Sequence, residues 1–391
     1  MINLVLFYTC AASALIWLAF LCMPARWRMS EQWEAEGQPI QPLSVWPRLS
    51  IIVPARNERE SLPLTLPSWL KQDYPNSEII LVDDQSSDGT AACAHITAQQ
   101  YNRTVTVING TPPPPGWTGK LWALEQGIRA SSGDWLLFTD ADILHNPGVW
   151  RGLIVKALSE RYDMVSLMAL LDTKKFWARL LIPAFVYFFH IMYPFGKVKD
   201  PRSKIYGAAG GCVLVSRQVL DNIGGIAEHR GAWIDDLALA RRVKCAGWSQ
   251  SLSLTKSVIS IRPYPHLQDT WKMVARSAFT QLKHSWLTLM GTVIVMSTMF
   301  ISPVAGIGVF IWGSVSSGTA IASIAALLSM TITYLPMMRF FGLSKCRAFT
   351  LPVAGTLYLA MTISSAINHV LGKREWRGVR AKTRQHNDTS K

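Results

Sequence analysis

The pattern of apolar and polar positions changes character twice along the chain. From Leu4 to Met23 nearly every position is apolar, and Arg26 and Arg28 follow directly. That spacing predicts one transmembrane helix of about 20 residues with its C-terminal end on the cytoplasmic side. No basic stretch precedes the run and no small-x-small site closes it, which favours a span over a cleaved signal peptide. Residues 29–47, with Pro39, Pro42 and Pro47, read as an irregular connector. Short β-branched runs between polar turns come next: strands over Leu49–Val53, Glu78–Val82, Thr104–Ile108 and Trp135–Thr139, with helices over 61–72, 88–100 and 121–130 between them. Apolar strands alternating with helices indicate an α/β domain around a mainly parallel sheet. The four prolines 112–115 stand outside this rhythm as a stiff, extended loop.

Past Asp142 the regularity weakens. Val165–Ala169 reads as a strand, 205–215 as a glycine-rich turn entering a strand, and 235–246 as a helix opening on two aspartates. Segment 176–195 is apolar and aromatic almost throughout, but Arg179, Pro183, His190 and its edge rings suit a helix in the membrane interface rather than a span. From Trp286 the chain is membrane-like again, with apolar segments at 286–312, 318–338 and 349–371, each long enough to cross. Arg339, Lys345 and Arg347 lie between the second and third, whereas 313–317 carries no charge. The asymmetry puts the former inside and implies a cytoplasmic domain entering the first segment. Three spans would leave the basic tail after Gly372 outside, against the positive-inside tendency; a bend of 286–312 at Pro303, Gly306 and Gly308 would return it. The expected organisation is a span over 1–25, a linker over 26–48, an α/β domain over 49–285, a membrane region over 286–372 and a basic tail over 373–391.

Composition sharpens this. Only 16% of the 391 residues are charged and 49% are hydrophobic, with a mean hydropathy of +0.18, so a disordered or purely soluble chain is disfavoured. Lys and Arg total 39 against 25 Asp and Glu, a net +14, and with 16 Trp this points to an anionic membrane surface. No basic and aromatic groove pattern repeats, so nucleic acid is not the expected partner. The six cysteines form no CxxC or CxxH pair, so neither a disulfide scaffold nor a zinc site is indicated.

Acidic clusters supply the candidate chemistry. Asp83 and Asp84 end one strand, where α/β folds bind ligands and a carboxylate can accept from a uracil imide or ribose hydroxyls; the same pattern also serves as a turn and helix cap. Asp140 and Asp142 end another strand, spaced so that both can reach one Mg²⁺ or Mn²⁺ bridging a diphosphate, or simply cap a turn. Lys120 offers a cation to phosphates or sugar, unless it is a plain surface lysine. Asp235 and Asp236 open a helix, where the dipole favours them, and one carboxylate there could take a proton from an acceptor hydroxyl. The glycines 207–211 allow close backbone approach and suit the floor of an acceptor pocket.

Taken in order, IIVPARNE at 51–58, VDDQSSDGT at 82–90, GWTGK at 116–120, TDAD at 139–142 and IDD at 234–236 resemble the membrane-bound, inverting family 2 glycosyltransferases of GT-A fold. The nearest likeness is to the hopene-associated glycosyltransferase group, found with hopanoid biosynthesis in bacteria. The family likeness covers about 49–285 and the likeness to the hopanoid group extends over the flanking apolar segments. Each motif alone is modest; five in this order are specific for the family and less so for the substrate. The resemblance implies that Pro54, Glu58, Asp83 and Asp84 serve the nucleoside, that Lys120, Asp140 and Asp142 serve the nucleotide-sugar and a divalent metal, and that Asp236, beside Asp235, is the general base. It implies Gly210, Gly211, Gln281 and Trp286 on the acceptor side. Where processive relatives carry QxxRW, this chain has Gln281-Leu282-Lys283-His284-Ser285-Trp286, without the arginine, so transfer of one sugar is expected. The implied enzyme sits in the bacterial inner membrane and moves a sugar from a nucleotide diphosphate donor, most simply a UDP-sugar, to a hopanoid or related lipid. The rivals are transfer to polyprenyl phosphate or polysaccharide, and a non-catalytic membrane scaffold.

Overall fold

The computed structural model describes residues 2–37, 43–313, 315–372, 375–376 and 379–380. Pro39 and Pro42 of the expected connector, and most of the expected basic tail, lie outside them. The chain divides into two compact units.

The first unit comprises Met29–Asp172 and His190–Pro263. Its strands are β1 (Leu49–Ala55), β2 (Ser77–Asp83), β3 (Thr106–Asn109), β4 (Trp135–Thr139), β5 (Ile143–His145), β6 (Met164–Leu170), β7 (Cys212–Ser216) and β8 (Gln250–Ser260), in the spatial order β3-β2-β1-β4-β7-β6-β8-β5. β3, β2, β1 and β4 pair in parallel, as short apolar strands alternating with helices predict. The expected mainly parallel sheet is met in that half, and in the other half only β6 and β8 pair in parallel. β7 runs antiparallel to both β4 and β6, and β5 antiparallel to β8, so the sheet as a whole is mixed. The reason is local: β7 leaves the glycine-rich turn at the carboxyl end of β4, Thr139 opposite Cys212, and can only run back.

Alternate residues of β1 feed the two faces of the sheet. Ile51 and Val53 pack with Leu66, Trp69, Leu153 and Trp150, and Ile52 packs with Leu121, Leu124, Phe138 and Leu239. Trp69 and Trp150 are almost fully buried, and truncating either to alanine should cost about 3–5 kcal/mol. Helices Leu62–Leu70, Thr90–Gln100 and Gly119–Ala130 follow β1, β2 and β3. The helix Val149–Ser159 and the strands β5 and β8 were not evident in the pattern. The connector is irregular yet stitched down: the Trp33 amide donates to the Leu254 carbonyl (2.9 Å), the Leu254 amide to Glu31 (2.9 Å), and the Trp33 ring is buried in the core.

The second unit gathers the described residues of Met1–Arg28, Thr173–Phe189 and Tyr264–Lys391 and is helical. Helix Ile2–Leu21 covers the first expected span. Trp286–Met296, a π-turn at Ser297–Ile301 and Ser302–Ile311 form one helical run, and Ser317–Phe340 and Leu351–Val370 follow. Pro303 has no N–H for the carbonyl of Met299, four residues earlier. Ser13 Oγ and Trp17 Nε1 donate to that carbonyl instead, each at 3.2 Å. Tyr187 of helix Phe176–Met192 donates to Thr333 Oγ1 (2.8 Å), and Tyr358 donates to the Leu181 carbonyl (2.9 Å). Among the described residues, five helical segments are long and apolar enough to cross a membrane: Asn3–Leu21, Phe176–Lys199, Trp286–Ile311, Ser317–Phe340 and Lys345–Val370. The helix expected in the interface thus shares the length and composition of the other four.

Candidate active site

The register aligns the carboxyl ends of the parallel strands, Ala55 opposite Asp83 and Asp83 opposite Asn109, so the loops after β1, β2 and β4 emerge on one edge of the sheet. Two groups of site residues form there.

The loops after β1 and β2 lock together. The Asn57 amide donates to Ser86 Oγ, and the Ser87 amide to Asn57 Oδ1, both at 2.9 Å. Glu58, Asp83 and Asp84 are buried. Asp83 Oδ1 accepts from the Ser86 amide (2.9 Å), Glu58 Oε2 from Ser61 Oγ (2.6 Å), and Asp84 Oδ2 pairs with Arg56 (3.3 Å). Helix Gly119–Ala130 starts against this carboxylate, its first turn capped by Thr118 Oγ1, which accepts from the Leu121 amide. A Cβ at residue 119 would stand 2.8 Å from Asp84 Oδ2, so only glycine admits the helix so close.

One residue further on, Lys120 joins the second group. Its Nζ lies 2.9 Å from Asp140 Oδ1 and 3.0 Å from Asp235 Oδ2, bridging the loop after β4 to the helix Asp235–Cys245. Burial alone would lower its pKa, but the charges of Asp140 and Asp235 raise it far above the ordinary lysine value. Asp236 Oδ2 accepts from the Gly210 amide at 2.7 Å. Loss of water, then the neighbouring Asp235 charge, push the Asp236 carboxyl up to about 7. For Asp235 burial raises and Lys120 lowers, and Lys120 wins. Two adjacent carboxylates are thereby driven apart: Asp235 stays charged while Asp236 exchanges its proton near neutral pH. Pro54, Lys120, Asp140, Gly210, Asp235 and Asp236 line one cavity.

A buried relay supports this edge from behind. Trp150 Nε1 donates to His145 Nδ1 (2.9 Å), which leaves His145 Nε2 to donate to Thr139 Oγ1 (3.0 Å), and Thr139 in turn donates to the Gly211 carbonyl (2.9 Å). Burial pushes the His145 pKa down to about 3 and keeps the ring neutral. The residue before Asp140 is thus tied to the residue after Gly210.

The donor set expected for a divalent ion is Asp140 and Asp142, with one residue between them; the Asp142 carbonyl accepts from the Ile261 amide (2.9 Å). Among the described residues no three His, Cys, Asp or Glu side chains converge on a common point. Two carboxylates suit Mg²⁺ or Mn²⁺ when phosphates and water complete the shell, so the residues fit an ion that arrives with a diphosphate. Gln281 and Trp286 belong to the helical unit: Gln281 ends the short helix Ala278–Gln281, and exposed Trp286 packs its ring 5.2 Å from that of Phe279. The sequence reading missed Arg56, Thr139, His145 and His229. Only the position of Arg56 and Thr139 beside motif carboxylates could have flagged them.

Residues 50–224 match the model of Glycosyl transferase family 2, a family of enzymes. The 4,4'-diaponeurosporenoate glycosyltransferase of Staphylococcus haemolyticus is 34% identical over 145 residues, 37% of this chain and 36% of that one. The undecaprenyl-phosphate 4-deoxy-4-formamido-L-arabinose transferase of Serratia proteamaculans is 36% identical over 123 residues, 30% of this chain and 36% of that one. The chain therefore spans about 36% of the length of each of these curated relatives. Among solved structures, a mannosyltransferase from Pyrobaculum calidifontis, in complex with GDP-Man and Mn²⁺, superposes with a TM-score of 0.52 at 17% identity, over 95% of this chain and 99% of that one. The two share a fold.

Proposed function

We propose that the chain is a membrane-bound, inverting glycosyltransferase that moves one sugar from a nucleotide diphosphate donor, a UDP-sugar first of all, to a lipid. The observation that carries the reading is the Asp140–Lys120–Asp235 bridge beside Asp236. It puts a permanent cation, a donor-side carboxylate and a carboxyl that titrates near 7 in one cavity at the carboxyl edge of the sheet.

In this reading Glu58, Asp83 and Asp84 hold the nucleoside, and Lys120 stands between the donor phosphates and the acceptor side. Asp236 takes the proton of the acceptor hydroxyl. The freed oxygen attacks the anomeric carbon, the bond from that carbon to the diphosphate oxygen breaks, and its electron pair leaves with the nucleoside diphosphate. Because attack comes from the face opposite the leaving group, the anomeric centre inverts in one displacement. A Mg²⁺ or Mn²⁺ held by Asp140 and Asp142 with the donor phosphates would offset the charge left on the diphosphate. The Gly210 amide steadies Asp236 as a carboxylate, and Asp235 keeps it basic enough to work at neutral pH.

The apolar helices support an acceptor drawn from the bilayer, and the positive residues Arg339, Lys345 and Arg347 between two of the apolar segments support a catalytic domain on the cytoplasmic side of what we take to be a bacterial inner membrane. The names of the two curated relatives, with diaponeurosporenoate and undecaprenyl phosphate, support an apolar acceptor as well. The motif likeness favours a hopanoid, and the undecaprenyl-phosphate relative keeps a polyprenyl phosphate as the second reading. Purified protein in nanodiscs, given Mg²⁺ or Mn²⁺, radiolabelled UDP-sugars and lipid extracts with and without hopanoids, tests the choice. A labelled lipid that requires hopanoids supports the first reading, and one that requires only polyprenyl phosphate moves the protein to the second.

A further inference from the structure

One polar side chain in the catalytic cavity has no part in the mechanism above. His229 closes the 3-10 turn Ile226–His229 and lines the same cavity as Lys120, Asp140, Asp235 and Asp236. Both ring nitrogens are buried and, among the described residues, have no hydrogen-bond partner. The apolar part of the wall, Leu121, Leu124, Phe138, Ile226 and Leu239, offers none, and the Asp235 charge acts on the ring without a hydrogen bond to it. The placement is built in: Ile226 is buried in the core, the His229 carbonyl accepts from the Ala232 amide at 2.7 Å, and Glu228 pairs with Arg242 at 3.5 Å. Burial pushes the imidazole down to about 4, so at neutral pH one nitrogen donates and the other accepts. Buried donors and acceptors are almost always paired, so a ring with both nitrogens unmet at the wall of a substrate cavity is matched to something that enters it. A hydroxyl is the fitting partner, because it both gives and takes a hydrogen bond; a carboxylate or phosphate only accepts.

We propose that His229 is a specificity-determining residue whose ring nitrogens receive a hydroxyl of the substrate bound at Asp235 and Asp236, from either the transferred sugar or the acceptor. The inference rests on the glycosyl-transfer reading and adds to it the group that selects the substrate.

The test uses the full chain in nanodiscs with Mg²⁺ or Mn²⁺ and bacterial lipid extract. Wild type is assayed first with UDP-glucose, UDP-galactose, UDP-N-acetylglucosamine and GDP-mannose. With the donor that turns over, His229→Leu should lose about 10- to 100-fold in kcat/KM, His229→Gln should regain part of it, and binding of the free nucleoside diphosphate should be unchanged. Thermal melting checks folding, and His229→Phe, closer in size, carries the comparison if leucine disturbs the cavity. The decisive readout uses deoxy analogues. One missing hydroxyl should penalise wild type about 10-fold or more and should cost His229→Leu nothing further. A penalty that vanishes with a deoxy-sugar donor assigns the hydroxyl to the sugar, and one that vanishes with a dehydroxylated acceptor assigns it to the acceptor. Wild-type kinetics in His229→Leu, or penalties that all persist in it, overturn the inference, as would be expected if the ring meets only water. No transfer by wild type from any donor overturns the glycosyl-transfer reading, and the inference with it.

Discussion

Replacing Asp235 with asparagine isolates the electrostatics of the site, because it removes one charge and little volume. In the wild type Asp236 titrates near 7, raised first by loss of water and then by Asp235, while Lys120 pulls the other way. As a base Asp236 works deprotonated, so kcat/KM should rise with pH and level off above about 7. Two unit charges about 6 Å apart at an effective dielectric of about 20 interact by about 3 kcal/mol, or about two pKa units. Lys120 at 3.0 Å already neutralises part of the Asp235 charge, so the acid limb in Asp235→Asn should fall by about one to two pH units. Initial rates of sugar transfer from pH 5 to 9, at saturating and limiting donor, give the limb directly. A limb that stays in place or moves upward would refute the coupling between the two carboxylates, whatever happens to the plateau rate.

Lys120→Ala should lower transfer about 100-fold or more and leave Asp140 and Asp235 without their cation, a destabilisation of about 3 kcal/mol visible as a lower Tm. Gly119→Ala forces its Cβ toward Asp84 Oδ2, so calorimetric Kd values for free nucleoside diphosphate should weaken about 10-fold with little change in Tm. His145→Leu strands the Trp150 indole N–H and takes from the Thr139 hydroxyl the bond it accepts, while its bond to Gly211 stays; denaturant titration should show a loss of about 1–3 kcal/mol, and unchanged stability would mean the relay is idle.

Parts of this molecule are written plainly in its residues. Leu49–Ala55 and Ser77–Asp83 carry the short apolar stretches Ile51–Val53 and Ile79–Val82 between polar turns, and their direction follows from the helices between them. The carboxylates at 83–84, 140–142 and 235–236 fall at element ends, where such residues are conspicuous. The second half of the sheet is harder to see. β8 places serine or threonine at many positions of Gln250–Ser260, a polar pattern that is buried nonetheless because neighbours cover most of it. The reversal of β7 depends on where a glycine turn delivers the chain, and periodicity carries no strand direction. Lys120 shows the limit most clearly. Nothing near Gly119-Lys120 reveals that its ammonium bridges Asp140 to Asp235, because the bridge exists only once β4 and the helix Asp235–Cys245 meet at one edge. Trp33 is similar, a core residue placed by a connector whose prolines suggest only irregularity.

The most direct test compares wild type with Asp236→Asn in nanodiscs, with a panel of UDP-sugars, GDP-mannose, Mg²⁺ or Mn²⁺ and bacterial lipid extract, following the label into lipid and the melting temperature of each protein. The account predicts a labelled lipid from wild type and a loss of at least about 1000-fold in Asp236→Asn with its fold and nucleotide binding intact. Equal transfer by both proteins would remove Asp236 as the base, and nucleotide binding by wild type without any transfer would contradict catalysis itself.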